Sequence, residues 1–141
     1  MNAPSAPPLR QLVVDKLTER GITPTRQRVE IGLCLFDAPK HVTADQLLEQ
    51  VNRRASGVSK ATVYNTLGLF AEKGLLREVV IDANKLVYDT NTTRHHHVYD
   101  VETGELRDLP PDALRIEGLA ELADELDVES VDLVVRVRAS R

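Results

Sequence analysis

The sequence predicts an α+β protein in two parts, a helical half closed by a β-hairpin and a smaller α/β half behind it. Three observations lead there. Four segments ahead of Gly74 repeat their apolar positions at helical spacing, and two short alternating segments follow it. Beyond the histidines at 95, 96 and 97 the pattern changes to a second hairpin, one helical stretch and a strongly apolar strand.

Each element has its own justification. Residues 9–20 place Leu9, Leu12, Val13, Lys16 and Leu17 at helical spacing, and Gly21 stops the helix. A second helix begins near Pro24 with Thr23 as its cap, and runs through Val29, Leu33 and Phe36 until Pro39 ends it. The third starts at a Thr43 cap and carries Leu47, Leu48 and Val51. Ser59 caps the fourth, which continues to Lys73 with Val63, Leu67 and Phe70 as its buried stripe. Residues 76–81 and 85–89 alternate like strands, and Asp82, Ala83 and Asn84 turn one into the other. Helices followed by a hairpin in this order make a winged helix-turn-helix.

In the second half, residues 98–101 and 106–109 flank a Thr103-Gly104 turn and read as a hairpin. Leu114, Gly118, Leu119, Leu122 and Leu126 mark a helix, and Val131, Leu133, Val134, Val135 and Val137 a strand. This α/β module is small, and in a monomer several of its apolar positions would face outward. Pairing with a second copy is the way to bury them, so it is expected to be a dimerisation domain. The expected organisation is a disordered tail at 1–8, a winged-helix DNA-binding domain at 9–90, a hinge at 91–94, and a dimerisation and ligand-sensing domain at 95–141.

Charge is divided along the same line. Residues 1–85 hold 12 Lys and Arg against 9 Asp and Glu, a surplus of +3, whereas residues 86–141 hold 6 against 13, a deficit of −7. Phosphate neutralisation dominates nucleic-acid affinity, so a DNA-binding role belongs to the first part. No run approaches the roughly 18 uncharged apolar residues that cross a bilayer, and the proline-bearing start lacks a secretory pattern, so a cytoplasmic protein with no membrane partner is expected. The single cysteine, Cys34, sits beside Leu33, Leu35 and Phe36 and reads as a buried thiol.

Two sets of residues carry chemistry. About 100° to 200° round the fourth helix from Val63 lie Ala61, Tyr64, Asn65 and Gly68, a face of small residues interrupted by two hydrogen-bonding ones. A helix lying in a major groove needs such a face: Tyr64 would pack on a thymine methyl and Asn65 would pair with adenine or a phosphate. The alternative is a tyrosine half-buried against a neighbouring helix and an asparagine merely exposed. Lys60 and Thr62 on the same helix, with Arg26 and with Arg77 and Lys85 of the hairpin, are the further DNA-facing candidates. The second set is the tract His95, His96 and His97, which with His41 makes up all the imidazoles of the chain. On a strand His95 and His97 share one face and His96 takes the other, giving either a clamp or a histidine-rich polar loop.

Three runs together resemble the ferric uptake regulator family: Gly21-Ile22-Thr23-Pro24-Thr25-Arg26-Gln27-Arg28, then Ala61-Thr62-Val63-Tyr64-Asn65-Thr66-Leu67, then the triple histidine. Tyr88-Asp89-Thr90-Asn91 and Val131-Asp132-Leu133-Val134-Val135-Arg136-Val137-Arg138 look most like its iron response regulator branch. The resemblance implies a homodimeric transcriptional regulator, mostly a repressor, of iron homeostasis on palindromic AT-rich operators, with Tyr64 contacting thymines. It also implies a regulatory metal site built from His41 at the start of the third helix, Asp89, His95, His97 and Asp108. Imidazole and carboxylate donors suit Fe(II), Mn(II) or Zn(II). Bound metal would bias a hinge between competent and incompetent states.

This chain departs from the family pattern in three places. Asn65 stands where other members often have arginine. Asp100 and Thr103 occupy the positions of the first Cys-x-x-Cys pair, and no second pair exists, which rules out a four-cysteine structural zinc. The branch is associated with haem, for which His95, His96 and His97 are the candidate tract, whereas Cys34 is followed by Leu35 and supplies no Cys-Pro haem motif. The readings are therefore a regulator answering to haem or a divalent metal, a manganese- or peroxide-responsive repressor using the same ligands, or, in another class, a metal enzyme. No nucleophile pair or general-base constellation supports the last, and the protein is expected not to be an enzyme.

Overall fold

Four helices each bury an apolar pair one turn apart, and this repeated spacing builds the core of the first part. The computed structural model describes residues 8–54 and 57–138, so the expected tail lies outside the described residues except for Pro8. Helix α1 spans Leu9–Glu19, α2 Arg26–Leu35, α3 Ala44–Arg54 and α4 Lys60–Glu72. Val13 and Leu17, Ile31 and Leu35, Leu47 and Val51, and Val63 and Leu67 are each at most 1% exposed, with Phe70 beside the last pair. At i and i+4 both members face the same way, and each full burial contributes about 1.5–3 kcal/mol. Cys34 is buried with them, and desolvation pushes its thiol above the ordinary value.

Of the expected caps, one lies two residues further along the chain. Gly21 takes φ +72°, and the bonds Gly21 N to Thr18 O and Ile22 N to Leu17 O close α1. The second helix starts at Arg26, not near Pro24: Thr25, not Thr23, accepts from Arg28 N at 3.3 Å. A cap must stand three residues before the amide it serves, and Thr25 meets that condition. Thr43 caps α3 in a reciprocal box, accepting from Gln46 N at 3.2 Å while Gln46 Oε1 accepts from Thr43 N at 2.9 Å. Ser59 caps α4, accepting from Thr62 N at 3.1 Å.

Strands β1 (His41–Val42), β2 (Arg77–Asp82) and β3 (Lys85–Asp89) form an antiparallel sheet in the order β1-β3-β2. Val79 and Ile81 are buried and Val80 is exposed, with a register shift between Val80 and Asp82 next to the turn. His41 therefore stands on a strand, not at the start of the third helix as expected. Two residues are too few to show a period, but their pairing sets His41 opposite Asp89.

The chain divides into two compact units, the first running to Thr92 and the second beginning at Thr93. The second holds β4 (His96–Asp100), β5 (Leu106–Leu109), α5 (Leu119–Glu125) and β6 (Val134–Val137). β4 is central, antiparallel to β5 and parallel to β6. The expected helix shrinks to seven residues, with Leu114 and Leu126 outside it, because Gly118 enters at φ +84° and Leu126 leaves in extended backbone. Likewise Val131 and Leu133 precede β6. Among the described residues of this unit no apolar side chain is buried; only His95, His96 and His97 are.

Candidate functional site

Ser59 ends a loop and opens α4, its side chain accepting from the Thr62 amide in the first turn. Val63, Thr66, Leu67 and Phe70 face the core, whereas Lys60, Ala61, Tyr64 and Asn65 are exposed. A side chain added at Gly68 would meet nothing within 4 Å, so that face is open to close approach. Thr62 is taken up by the cap: its Oγ1 accepts from Ser59 Oγ at 2.9 Å. Arg26 is exposed as the first residue of α2, and Arg77 is half-buried at the start of β2.

Tyr64 lies on the outer face of α4 and also engages the neighbouring helix α3. The residue is 42% exposed, and its hydroxyl donates to Asp45 Oδ1 in the first turn of α3 at 3.0 Å. Lys60 Nζ lies 3.8 Å from the same oxygen and 5.5 Å from the centre of the Tyr64 ring. The bond to the Asp45 carboxylate holds the Tyr64 phenol above its ordinary value. Asp45 escaped sequence reading because no spacing along the chain links it to Tyr64.

The metal-ligand candidates form a pair in the first unit and a trio in the second. His41 Nε2 lies 3.2 Å from Asp89 Oδ2, as the β1–β3 register requires. The Asp89 side chain is 2% exposed and its other oxygen accepts from Asn91 N at 2.9 Å, which fixes its plane. In the second unit His95 Nε2 and His97 Nε2 approach to 3.0 Å, and Asp108 Oδ1 stands 3.3 Å from the first and 3.7 Å from the second. His97 and Asp108 are cross-strand partners on one face of the sheet. His95 lies just ahead of β4 rather than on it, yet still shares the face of His97.

These atoms suit a divalent cation. His95 Nδ1 lies 2.6 Å from Thr93 O, and a carbonyl only accepts, so that nitrogen carries a proton and, in the neutral ring a metal requires, Nε2 is the nitrogen with the lone pair. Two imidazole nitrogens and a carboxylate oxygen aimed at one point fit Fe(II), Mn(II) or Zn(II), while the sole thiol, Cys34, is in the helical core. His96 is used differently: its Nδ1 accepts from Leu133 N at 3.3 Å, tying β4 to the approach of β6.

A capped helix with an open outer face, a paired wing and converging nitrogen and oxygen donors define a DNA reader of the metal-responsive class. The ferric uptake regulator family model matches residues 19–136, and the chain belongs to that family of metal-responsive transcriptional regulators. A peroxide-responsive repressor of Staphylococcus aureus is 30% identical over 116 residues, covering 82% of this chain and 78% of that one. Its counterpart in Staphylococcus epidermidis is 28% identical over the same length. Among solved structures, the ferric uptake regulator of Pseudomonas aeruginosa with manganese superposes with a TM-score of 0.68 at 23% identity, covering 92% of this chain and 99% of that chain. A peroxide stress regulator of Campylobacter jejuni gives 0.59 at 22% identity, covering 95% and 98%. The α+β fold, a DNA-binding part followed by a dimerisation part, is that of the family. No helix among the described residues is long and apolar enough to cross a membrane.

Proposed function

We propose that this chain is a cytoplasmic homodimeric repressor of iron homeostasis that reads palindromic AT-rich operators through α4 and answers to one divalent cation. His41 and Asp89 from the first unit, with His95, His97 and Asp108 from the second, are the proposed ligands. The observation that carries the metal reading is the 3.0 Å approach of His95 Nε2 to His97 Nε2 beside Asp108, with the His95 proton held on the far nitrogen. Bound cation supplies charge neutralisation and a fixed geometry. This chain's residues supply the rest: Thr93 O sets the His95 tautomer, Asn91 N orients Asp89, and Lys60, Tyr64, Asn65, Arg26 and Arg77 meet DNA.

The iron response regulator branch is supported by the runs 88–91 and 131–138, and the peroxide-responsive relatives support that sister reading equally. Haem has weaker support. All three imidazoles are at most 4% exposed, and His96 already holds a backbone bond, whereas a haem ligand needs an open face.

Operator binding with and without Mn(II), Fe(II), Zn(II) or haem, at one salt concentration, tests this. A divalent cation is expected to shift operator affinity about 5–150-fold, the usual size of a coupling between sites. His97→Ala should remove that shift. An unchanged affinity with every cation, alongside a response to haem that disappears when the three histidines become alanine, would replace the metal reading with the haem one.

A further inference from the structure

We propose that Asp45 is a positioning and specificity residue of the DNA-reading surface, holding the Tyr64 ring in place and withholding the Lys60 charge from indiscriminate phosphate contact. The proposal rests on α4 being the recognition helix. Its basis is that one oxygen, Asp45 Oδ1, serves both side chains: it accepts the Tyr64 hydroxyl at 3.0 Å and stands 3.8 Å from Lys60 Nζ.

Folding alone does not call for this arrangement. The side chains of Asp45 and Lys60 are 71% and 66% exposed, so their ion pair contributes little to stability. An acidic residue in the first turn of α3 is adequately explained by the helix dipole, but the dipole does not bring the Tyr64 hydroxyl to it. Lys60 and Tyr64 sit one turn apart on α4 and share a face. Asp45 reaches across from α3 and closes a triangle with both.

The triangle affects recognition in two ways. Tyr64 has its hydroxyl proton committed to the protein, which leaves the ring edge for apolar contact with a thymine methyl. The ring is also ordered before DNA arrives, so its orientation discriminates rather than adapts. Lys60, meanwhile, is a point charge beside a carboxylate. Any phosphate that takes it must displace Asp45, and the carboxylate repels that phosphate. Since phosphate contact drives non-specific binding, Asp45 lowers affinity for the wrong sequences more than for the right one.

The test uses the full chain in its DNA-binding metal state and three duplexes. One is selected by the wild-type protein from a random pool, the second is a scrambled version, and the third is the selected duplex with deoxyuridine for thymidine. Affinities are read by fluorescence anisotropy across a salt series. For Asp45→Ala we expect several-fold tighter binding to the scrambled duplex and a salt slope steeper by about 1, as for one added phosphate contact. The preference for thymidine over deoxyuridine should fall about fivefold, at the low end of a base contact. Asp45→Asn separates the two roles. Its amide oxygen still accepts the hydroxyl, so the thymidine preference persists while the slope steepens. Tyr64→Phe should do the reverse.

Unchanged slope, scrambled affinity and thymidine preference in Asp45→Ala, with Tyr64→Ala still abolishing operator binding, overturns the role of Asp45 alone. If Tyr64→Ala binds the operator like wild type, α4 is not the recognition helix and both readings fall. Circular dichroism checks that each exposed substitution leaves the fold in place.

Discussion

Glu30 shows how a single charged residue can hold three helices. Its carboxylate is buried on α2, yet it takes Arg10 Nη2 of α1 at 2.8 Å and Arg54 Nε of α3 at 3.2 Å. The Arg10 hydrogen bond outweighs burial and lowers its pKa below the ordinary 4.5, with Arg54 assisting. A depressed folded value means the stabilisation is complete above the ordinary value and is lost as pH falls through the folded one. Glu30→Gln is therefore expected to cost about 1–2 kcal/mol at neutral pH, since both arginines are half exposed and solvent screens them. Urea unfolding measures it, and the gap from wild type should narrow as pH drops below 4.5. An equal gap at acid pH would mean that packing, not charge, is responsible. Sequence gave no hint of this role, because both partners are distant in the chain and Glu30 sits among apolar neighbours.

At the scale of elements, what was legible depended on length and locality. The four helices were readable because each spans at least ten residues and repeats its buried pair, and the Thr43 and Ser59 caps obey a fixed three-residue offset. β1 was not, since two residues have no period and only pairing with β3 defines them. The same split governs the site: the shared face of His95 and His97 follows from their spacing, whereas Asp45 beside Tyr64 follows only from how α3 packs on α4. Gly32 makes the packing concrete. A Cβ there would lie 2.5 Å from Val13 Cγ1, and Val13 is itself 1% exposed and cannot swing away. Alanine would gain up to about 1 kcal/mol in helix propensity, against an overpacking cost of about 1–3 kcal/mol. Gly32→Ala should accordingly lower the urea midpoint with an unchanged slope. A raised midpoint would show that α1 and α2 can separate freely.

For the whole molecule, the two units obtain their stability differently. The first has a continuous core drawn from every helix, while the second has about 50 residues and, among those described, no buried apolar side chain. Leu122 at 45% and Leu126 at 59% exposure, with Leu114, Val101 and Val135, would leave too much apolar surface in water for so small a body. Family members bind DNA as dimers, and in the proposed homodimer a second copy would cover this surface. Leu122→Asp combined with Leu126→Asp should then yield a monomer by sedimentation equilibrium. The helical signal of the first unit should persist, since its core does not include either leucine. Operator affinity should fall on the order of 100-fold, as linked half-site binding becomes two independent events. A variant that sediments as a dimer with full affinity would place the interface elsewhere on the second unit. A monomer with full affinity would mean that one copy suffices to read DNA.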